Sequence, residues 1–229
     1  STGFLFNGIH HFYSKSMGIH GVSKTKTLWD LTRKNRRLIE ALVKEESLDC
    51  EYRKEGSYRA ALSKAEEEVL RESVALLHRD GFPSEFREAP GFPVAAYCSE
   101  DASFHPVRFV RGLANAARKK GARIFESSKV STVEESTVRT KEGTLRAEMI
   151  LYAGGGFSPL LHPFLGETIA PVRGQCLATS PIDRTVFPAP IVTNWGLDAL
   201  FQTARGEIVV GGGRHVAMQK EYTWSEKTS

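Results

Sequence analysis

The segment Ile150-Leu151-Tyr152-Ala153-Gly154-Gly155-Gly156 carries the strongest indication of the fold. A continuous apolar run is typical of a strand that is buried on both faces. Glycines at its end would let the backbone adopt positive φ and approach a ligand closely. Because ligands of open α/β sheets bind beyond the carboxyl ends of strands, the segment indicates either a ligand site or a plain tight turn after a core strand.

Upstream of this segment the sequence predicts a helix and a set of short strands. Pro106 suits the first position of a helix and Gly121 its end, so we expect a helix from Pro106 to Lys120. The residues expected to face inward are Val107, Val110, Leu113 and Ala117. A strand at 122–125 and a meander over 129–134, 137–140 and 144–147 should connect this helix to the glycine-ended strand.

The flanking sequence predicts further helices and strands. Residues 1–26 show no clear period and are expected to be irregular. An amphipathic helix is predicted at 27–46, a strand at 51–62 and a second helix at 63–79, where Ser63 and Glu66 have the spacing of a capping box. After a loop at 81–93, the later strands are expected at 168–179, 189–195, 199–203 and 207–212.

Composition and charge bound the class of protein. A chain of 229 residues, 41% hydrophobic and 25% charged, is typical of a globular protein with one large or two modest domains. The net charge of +4 comes from dispersed lysines and arginines, which favours a solvated surface over a nucleic-acid interface. No apolar run approaches the roughly 20 residues of a membrane helix, and the first residues lack the pattern of a signal peptide.

Cysteine and histidine spacing argues against several kinds of site. Cys50, Cys98 and Cys176 are odd in number and far apart, which disfavours a disulfide framework or a zinc site and favours a reducing, cytoplasmic compartment. The 7 histidines show no metal-ligand spacing along a helix. The sequence also lacks a Gly-x-Ser-x-Gly elbow, so a Ser-His-Asp hydrolase is not indicated.

Five short segments together resemble one enzyme family. They are the Ala153-Gly154-Gly155 turn, Ser128-Lys129-Val130, the His105-Pro106 pair, Pro-Val-Arg-Gly-Gln at 171–175, and Gly3-Phe4-Leu5. Their order and spacing, from Gly3 to about Tyr222, resemble the FAD-dependent amine oxidoreductases of the D-amino-acid oxidase and glycine/sarcosine oxidase family.

The resemblance implies a site for FAD and an amine substrate. On the cofactor side it implies Ala153, Gly154 and Gly155 near the adenosine half, Val130 against the adenine, and Gly3, Phe4 and Leu5 near the isoalloxazine. On the substrate side it implies Trp195, Phe201, Arg173 and Arg214. Where relatives place a tyrosine, this chain has Leu200-Phe201, which has no hydroxyl to bind a carboxylate. Core packing is the competing interpretation of Trp195 and Phe201, and a structural role is that of Arg173.

The implied reaction is oxidation of a C–N bond in an amine or amino acid, with hydride transfer to the flavin and hydrolysis of the resulting imine. The implied fold is mixed α/β (α+β), with a partial FAD-binding domain interleaved with an antiparallel-sheet substrate domain. Its predicted parts are a lead-in near the flavin at 1–26, the substrate domain at 27–97 and 167–229, and the central part of the FAD-binding domain at 98–166.

Two parts of the family's sequence are not found. The Gly-x-Gly-x-x-Gly turn that holds the pyrophosphate would precede Ser1, and the last third would follow Ser229. We therefore expect this chain alone to bind FAD weakly or not at all. The alternatives are a non-catalytic fragment or binding domain without cofactor, and a subunit completed by a partner chain. Apolar surface left on the helix at 106–120 would favour self-association.

Overall fold

The computed structural model describes residues 3–225 and 227. The helices are α1 Tyr13–His20, α2 Val22–Glu45, α3 Lys64–Arg79, α4 Pro106–Lys119, α5 Pro163–Thr168 and α6 Met218–Glu221. The strands are β1 Phe4–Leu5, β2 Ser57–Ala60, β3 Glu85–Phe86, β4 Ala95–Cys98, β5 Ala102–Ser103, β6 Val130–Glu134, β7 Thr137–Thr140, β8 Thr144–Arg146, β9 Cys176–Ala178, β10 Ile191–Thr193, β11 Asp198–Gln202 and β12 Ile208–Gly211. These elements give the predicted mixed α/β fold.

The chain divides into two compact units. Residues up to 120 together with 176–213 form the first unit, and residues 121–175 together with those from 214 onward form the second. This division describes compactness and does not report which ligand each part binds. The predicted limits of the substrate and FAD-binding domains therefore stay a prediction.

A seven-stranded sheet is the centre of the first unit. Its order is β3-β4-β2-β10-β11-β12-β9, and β2 with β10 is the one parallel pair in it, since each of the other neighbours is antiparallel. Tyr58, Ala60, Ala95 and Ile191 form the buried apolar cluster at the middle strands. Because both side-chain faces of these strands are covered, the sheet has a real hydrophobic core.

Helices α1 and α3 pack on the sheet and on each other. Phe12 and Leu70 are buried together with Ala96 of β4. Tyr13 and Trp29 form a second cluster with Phe82, and the Tyr13 and Trp29 ring centroids are 4.7 Å apart in an edge-on arrangement. Burying large aromatic side chains contributes strongly to stability, so this layer holds the helices in place.

The predicted capping box of α3 is confirmed, with one change in its geometry. The Ser63 hydroxyl accepts the Glu66 N–H at 3.2 Å, as expected. The Glu66 carboxylate accepts the N–H of Leu62 at 2.8 Å, one residue before the cap, and also that of Trp195 at 2.5 Å. One buried carboxylate therefore caps the helix and fixes a distant turn.

The expectation of an irregular N-terminal region was wrong. Helix α1 occupies Tyr13–His20, and α2 begins at Val22, before the predicted start at 27. The buried residues of α1 are Tyr13 and Ser16, so no apolar period marks this helix in the sequence. Residues 1 and 2 of the predicted lead-in lie outside the described residues.

The predicted strand Ile150–Ala153 does not form. Residues 150–154 have no regular structure, a 3₁₀ helix follows at Gly155–Leu160, and Leu151 is 89% exposed. The strand predicted at 122–125 is absent as well. An extended segment becomes a strand only when a neighbour supplies hydrogen bonds, and none of the described residues pairs with either segment.

The meander and α4 were predicted closely, but the apolar face of α4 was not. Strands β6, β7 and β8 form an antiparallel sheet, and α4 begins at Pro106 with His105 as its N-cap. Val107 and Val110, which were expected to face inward, are 50% and 63% exposed. No described segment covers them, so this expectation was wrong for the chain as described.

Replacing Gly3 by alanine should destabilise the first unit by about 2 kcal/mol or more. Gly3 has φ +78°, and a Cβ there would overlap the carbonyl oxygen of Phe104. Gly18→Ala is the matched control, because Gly18 lies inside α1 and its Cβ would meet no atom within 4 Å. Alanine there should stabilise by up to about 1 kcal/mol. Urea unfolding of both variants measures the difference, and equal effects would contradict the packing argument.

Candidate active site

The segment predicted to lie near the flavin ring is tightly held by its own chain. Phe4 pairs with Ser103 and Leu5 with Ala102 in the β1–β5 ladder. The Gly3 carbonyl accepts the N–H of Phe104 at 2.9 Å. The space beside the Gly3 Cα is therefore occupied by the Phe104 backbone and is not open to a ligand.

An aromatic pair borders a cavity beside this segment. The Phe4 ring meets that of Phe201 edge-on, with centroids 5.0 Å apart. Phe201 also lines a cavity of about 170 Å³. The other lining residues are Glu51, Arg53, Ser103, Phe104, His105, Pro106, Thr203, Ala204 and Arg205. The cavity combines an aromatic wall with two arginines, a composition that suits a small molecule with an anionic group.

Arg53 is the cation at the centre of this region. Its guanidinium donates to the Gln202 carbonyl at 3.0 Å and lies 3.7 Å from the Glu55 carboxylate. Arg53 lines both the first cavity and a second, more open one of about 360 Å³. The side chain keeps 39% exposure, so it can still reach a ligand in either space.

Glu55 balances that cation from a half-buried position. Its Oε1 accepts the Ser103 hydroxyl at 2.5 Å, while its Oε2 is buried and has no hydrogen-bond partner among the described residues. Burial raises the pKa of Glu55 above its ordinary value, and the Ser103 hydrogen bond opposes that rise. The carboxyl therefore gives up its proton less readily than an exposed glutamate does.

Asp101 is the most deeply buried carboxylate next to the N-terminal segment. Its side-chain oxygens accept the Ser57 hydroxyl at 2.6 Å and the Asn7 N–H at 2.8 Å. Burial raises the pKa of Asp101 to about 6, and the hydrogen bonds from Ser57 and Asn7 oppose the rise. A hydrogen bond from the Cys98 side chain and the positive charge of Arg59 also lower the pKa of Asp101.

Trp195 lies in the helix-packed layer of the first unit. Its ring meets that of Phe12 at a centroid distance of 5.7 Å, and the Lys15 ammonium lies 5.3 Å above it. Its backbone is left-handed, with φ +57°, and its N–H donates to Glu66. These contacts support packing as its main role.

Arg173 and Arg214 belong to the second unit and differ in their surroundings. The Arg173 Nε donates to the buried Glu221 carboxylate at 2.7 Å, and the main-chain N–H of Arg173 donates to the Glu221 carbonyl at 2.8 Å. Arg214 is exposed at the start of the 3₁₀ helix Arg214–Val216. The contacts of Arg173 support a structural role for this residue.

The residues predicted to hold the adenosine half of FAD present accessible backbone. Ala153, Gly154 and Gly155 are exposed, and Val130 is half-buried at the start of β6. Gly155 has φ +54°, and no atom lies within 4 Å of the place where its Cβ would be. This open turn fits a group that is bound through close backbone approach, as FAD is in this type of site.

Other kinds of chemistry find little support. No group of three or more histidine, cysteine or acidic side chains in residues 3–225 could hold a metal ion. Burial raises the pKa of the Cys98 thiol to about 12, which makes it a poor nucleophile. Among the described helices, none has the length and apolar character needed to cross a membrane.

The sequence analysis missed Arg53, Glu55, Asn7 and Asp101. Arg53 and Glu55 precede strand β2, and Asp101 lies in the turn between β4 and β5. A charged residue beside a short strand is usually solvated. The pairing of β1 with β5 brings Asn7 towards Asp101, and the bridge between Arg53 and Ser103 brings Arg53 and Glu55 to the same strand.

Comparison with known proteins shows which proteins the chain resembles. A family model described as FAD dependent oxidoreductase (DAO) matches residues 2–228. The chain is 24% identical over 226 residues to gamma-glutamylputrescine oxidoreductase of Escherichia coli K12, an alignment that covers 88% of this chain and 53% of the relative. It is 26% identical over 179 residues to glycine oxidase of Bacillus licheniformis, covering 71% of this chain and 48% of the relative.

Solved structures show the same fold. The crystal structure of glycine oxidase from Geobacillus kaustophilus superposes with a TM-score of 0.77 at 17% identity, covering 100% of this chain and 63% of that one. L-proline dehydrogenase from P. horikoshii superposes with a TM-score of 0.69 at 18% identity, covering 86% of this chain and 58% of that one. The fold is thus that of a class of flavin-dependent oxidoreductases.

The chain belongs to the FAD dependent oxidoreductase (DAO) family, because the family model matches nearly its whole length. It spans about half the length of the curated relatives it matches.

Asp101→Asn should remove a pH dependence of stability. The pKa of Asp101 in the folded chain, about 6, exceeds the ordinary value of 3.8, so folding favours the protonated form. Its contribution is present below about pH 4 and is lost as pH rises through about 6, on the order of 3 kcal/mol in total. Unfolding free energies measured from about pH 4 to 8 should show this loss in the wild type and not in the variant. Parallel curves would contradict the assignment, and Asp49→Asn at an exposed aspartate is the control.

Arg173→Gln should destabilise the second unit by about 3 kcal/mol. It leaves the Glu221 carboxylate, 3% exposed, without its cation. Arg214→Gln removes an exposed arginine of the same unit and should change stability by less than about 0.5 kcal/mol. Amide exchange in β6–β8 reports the difference. Equal effects of the two substitutions would show that Arg173 does not stabilise the unit.

Proposed function

We propose that this chain takes part in FAD-dependent oxidation of a C–N bond in an amine or amino acid. The match of the family model to residues 2–228 is the observation that carries the proposal. The relatives named glycine oxidase and gamma-glutamylputrescine oxidoreductase support the same class of reaction. FAD, when bound, supplies the acceptor for the two electrons removed from the substrate.

Two sets of residues are proposed as cofactor contacts, and each set lies within its own unit. Ala153, Gly154, Gly155 and Val130 of the second unit would bind the adenosine half through exposed backbone. Gly3–Leu5 of the first unit would border the ring system. The 229 residues contain no Gly-x-Gly-x-x-Gly turn, so the main anchor for the pyrophosphate is not part of this chain. We therefore propose that FAD affinity of the chain by itself is weak.

The substrate would lie in the 170 Å³ cavity beside Phe201. Phe201, backed by the Phe4 ring, and Phe104 form the apolar wall of this cavity, and Arg53 binds a carboxylate of the substrate. Trp195, Arg173 and Arg214, which were also predicted on the substrate side, do not line this cavity. No side chain near the cavity is required as a base, since hydride loss from a neutral amine needs none.

A second arrangement has the cofactor site completed by another polypeptide. The half-exposed Val107 and Val110 on α4 and the 89% exposed Leu151 favour it, because they leave apolar surface uncovered. Sedimentation tests self-association, and co-purification tests a distinct partner chain.

We also propose a cytoplasmic location, supported by three free cysteines.

Arg53→Gln tests the substrate side of the proposal. With FAD supplied, oxidation of an amino acid should lose about 100-fold in kcat/KM, while oxidation of the matching amine without a carboxylate should change less than about 3-fold. Arg37→Gln, at an exposed arginine of α2, is the control. Flavin absorbance after gel filtration and imine-derived carbonyl product are the measurements. Absence of both in the wild type with every amine tested would contradict the proposed function.

A further inference from the structure

The N-terminal segment is held at two places, one on either side of Phe6. The first is the β1–β5 ladder, in which Gly3 and Phe4 are fixed by Phe104 and Ser103. The second is Asn7, whose main-chain N–H donates to Asp101 at 2.8 Å. Phe6 alone lies between these two fixed points, and the strand that holds Phe4 is only 2 residues long.

Asp101 is itself immobilised from several directions. The Ser57 hydroxyl donates to its carboxylate, and the Asp101 carbonyl accepts the Gly56 N–H at 3.0 Å. The residue is 3% exposed. A carboxylate fixed this way can impose its position on a group that donates to it, because it cannot follow that group's motion.

The neighbouring Glu100 adds a second contact to the same residue. Its carboxylate accepts the Asn7 side-chain amide at 3.3 Å and is bound by Arg33 at 2.5 Å and by Arg36 at 3.1 Å. Helix α2 therefore supports the turn that holds Asn7.

We propose that Asp101 is a positioning residue: by accepting the Asn7 N–H it fixes the segment Phe4–Asn7 and keeps the Phe4 ring against Phe201 at the cavity. Any effect of Asp101 on the reaction rests on the proposed function, because the segment Phe4–Asn7 borders the flavin only if the chain works as an FAD enzyme.

The charge of Asp101 strengthens the hydrogen bond from the Asn7 N–H, which supports the positioning role. With its pKa raised to about 6 by burial, Asp101 is ionised at neutral pH. A hydrogen bond from an N–H to a carboxylate is charge-assisted and stronger than one between neutral groups. The Phe4 ring, whose centroid is 5.0 Å from that of Phe201, then keeps one place at the cavity.

The test compares three variants of the full chain by NMR without cofactor. Asp101→Ala removes the acceptor, Asp101→Asn keeps a carbonyl oxygen at the same place, and Asp49→Ala changes an aspartate whose side chain is 90% exposed. In Asp101→Ala the Asn7 amide should exchange about 10-fold faster than in the wild type, measured relative to the Ser103 amide of the β5 strand. The Phe4–Phe201 ring contact should be lost. Asp101→Asn should restore both to within about 3-fold, and Asp49→Ala should change neither.

A purely structural role predicts a different pattern. It would raise exchange at Asn7 and Ser103 alike, in proportion to the loss of global stability, and that result would overturn the proposal. Retention of the Phe4–Phe201 contact in Asp101→Ala would overturn it as well. If Asp101→Ala does not fold, a pH titration of the wild type replaces it. The chemical shift of the Asn7 amide proton should then change with pH together with the ionisation of the Asp101 carboxyl. An Asn7 shift that does not change at that pH would refute the hydrogen bond between the two residues and with it the proposal.

The same variants separate this inference from the proposed function. If the wild type binds FAD, Asp101→Ala should weaken the affinity about 10-fold, and Asp101→Asn by less than about 3-fold. An unchanged FAD affinity in Asp101→Ala would overturn the positioning role. If the wild type neither binds FAD nor oxidises any amine tested with FAD supplied, the proposed function fails, while the exchange and ring-contact measurements still decide whether Asp101 positions Phe4.

Discussion

The parallel pairing of β2 with β10 brings together parts of the chain that are far apart in sequence. Tyr58 donates its N–H to the Pro190 carbonyl at 2.8 Å, and the Thr193 hydroxyl donates to the Ala60 carbonyl, a separation of 133 residues. This junction joins the strands that follow β10 to those that surround β2. It helps to bring the two sides of the cavity beside Phe201 together, since Arg53 precedes β2 and Phe201 lies on β11.

Local signals in the sequence were sufficient for helices and turns, and insufficient for the glycine-ended segment. The Ser63–Glu66 capping box, Pro106 at the first turn of α4 and the meander β6–β8 each depend on neighbours within a few residues. The run Ile150–Ala153 has the composition of a buried strand, yet whether it becomes one depends on partners that the sequence pattern does not specify. Helix α1 was missed for a related reason, because its buried face includes the hydroxyl of Ser16.

The candidate site was only partly accessible to sequence reasoning. Resemblance identified the aromatic and glycine residues, which have recognisable spacing, and the structure places Phe4 against Phe201. The charged groups Arg53, Glu55 and Asp101 have no motif of their own. Asp101 is recognised by its burial, and Arg53 and Glu55 by the bridge between Arg53 and Ser103, all of which are tertiary properties. Family resemblance therefore identifies the aromatic and glycine residues, and the structure is needed to identify the charged residues.

The three clusters of buried apolar residues all lie in the first unit. In the described part of the second unit, side chains such as Met149 and Phe164 are 89% and 61% exposed. The heat-capacity change of unfolding scales with apolar surface removed from water, and a chain of 229 residues would ordinarily give roughly 3 kcal/mol per kelvin. Calorimetry of this chain should therefore give a distinctly smaller heat-capacity change of unfolding. The free energy of unfolding should then vary less steeply with temperature.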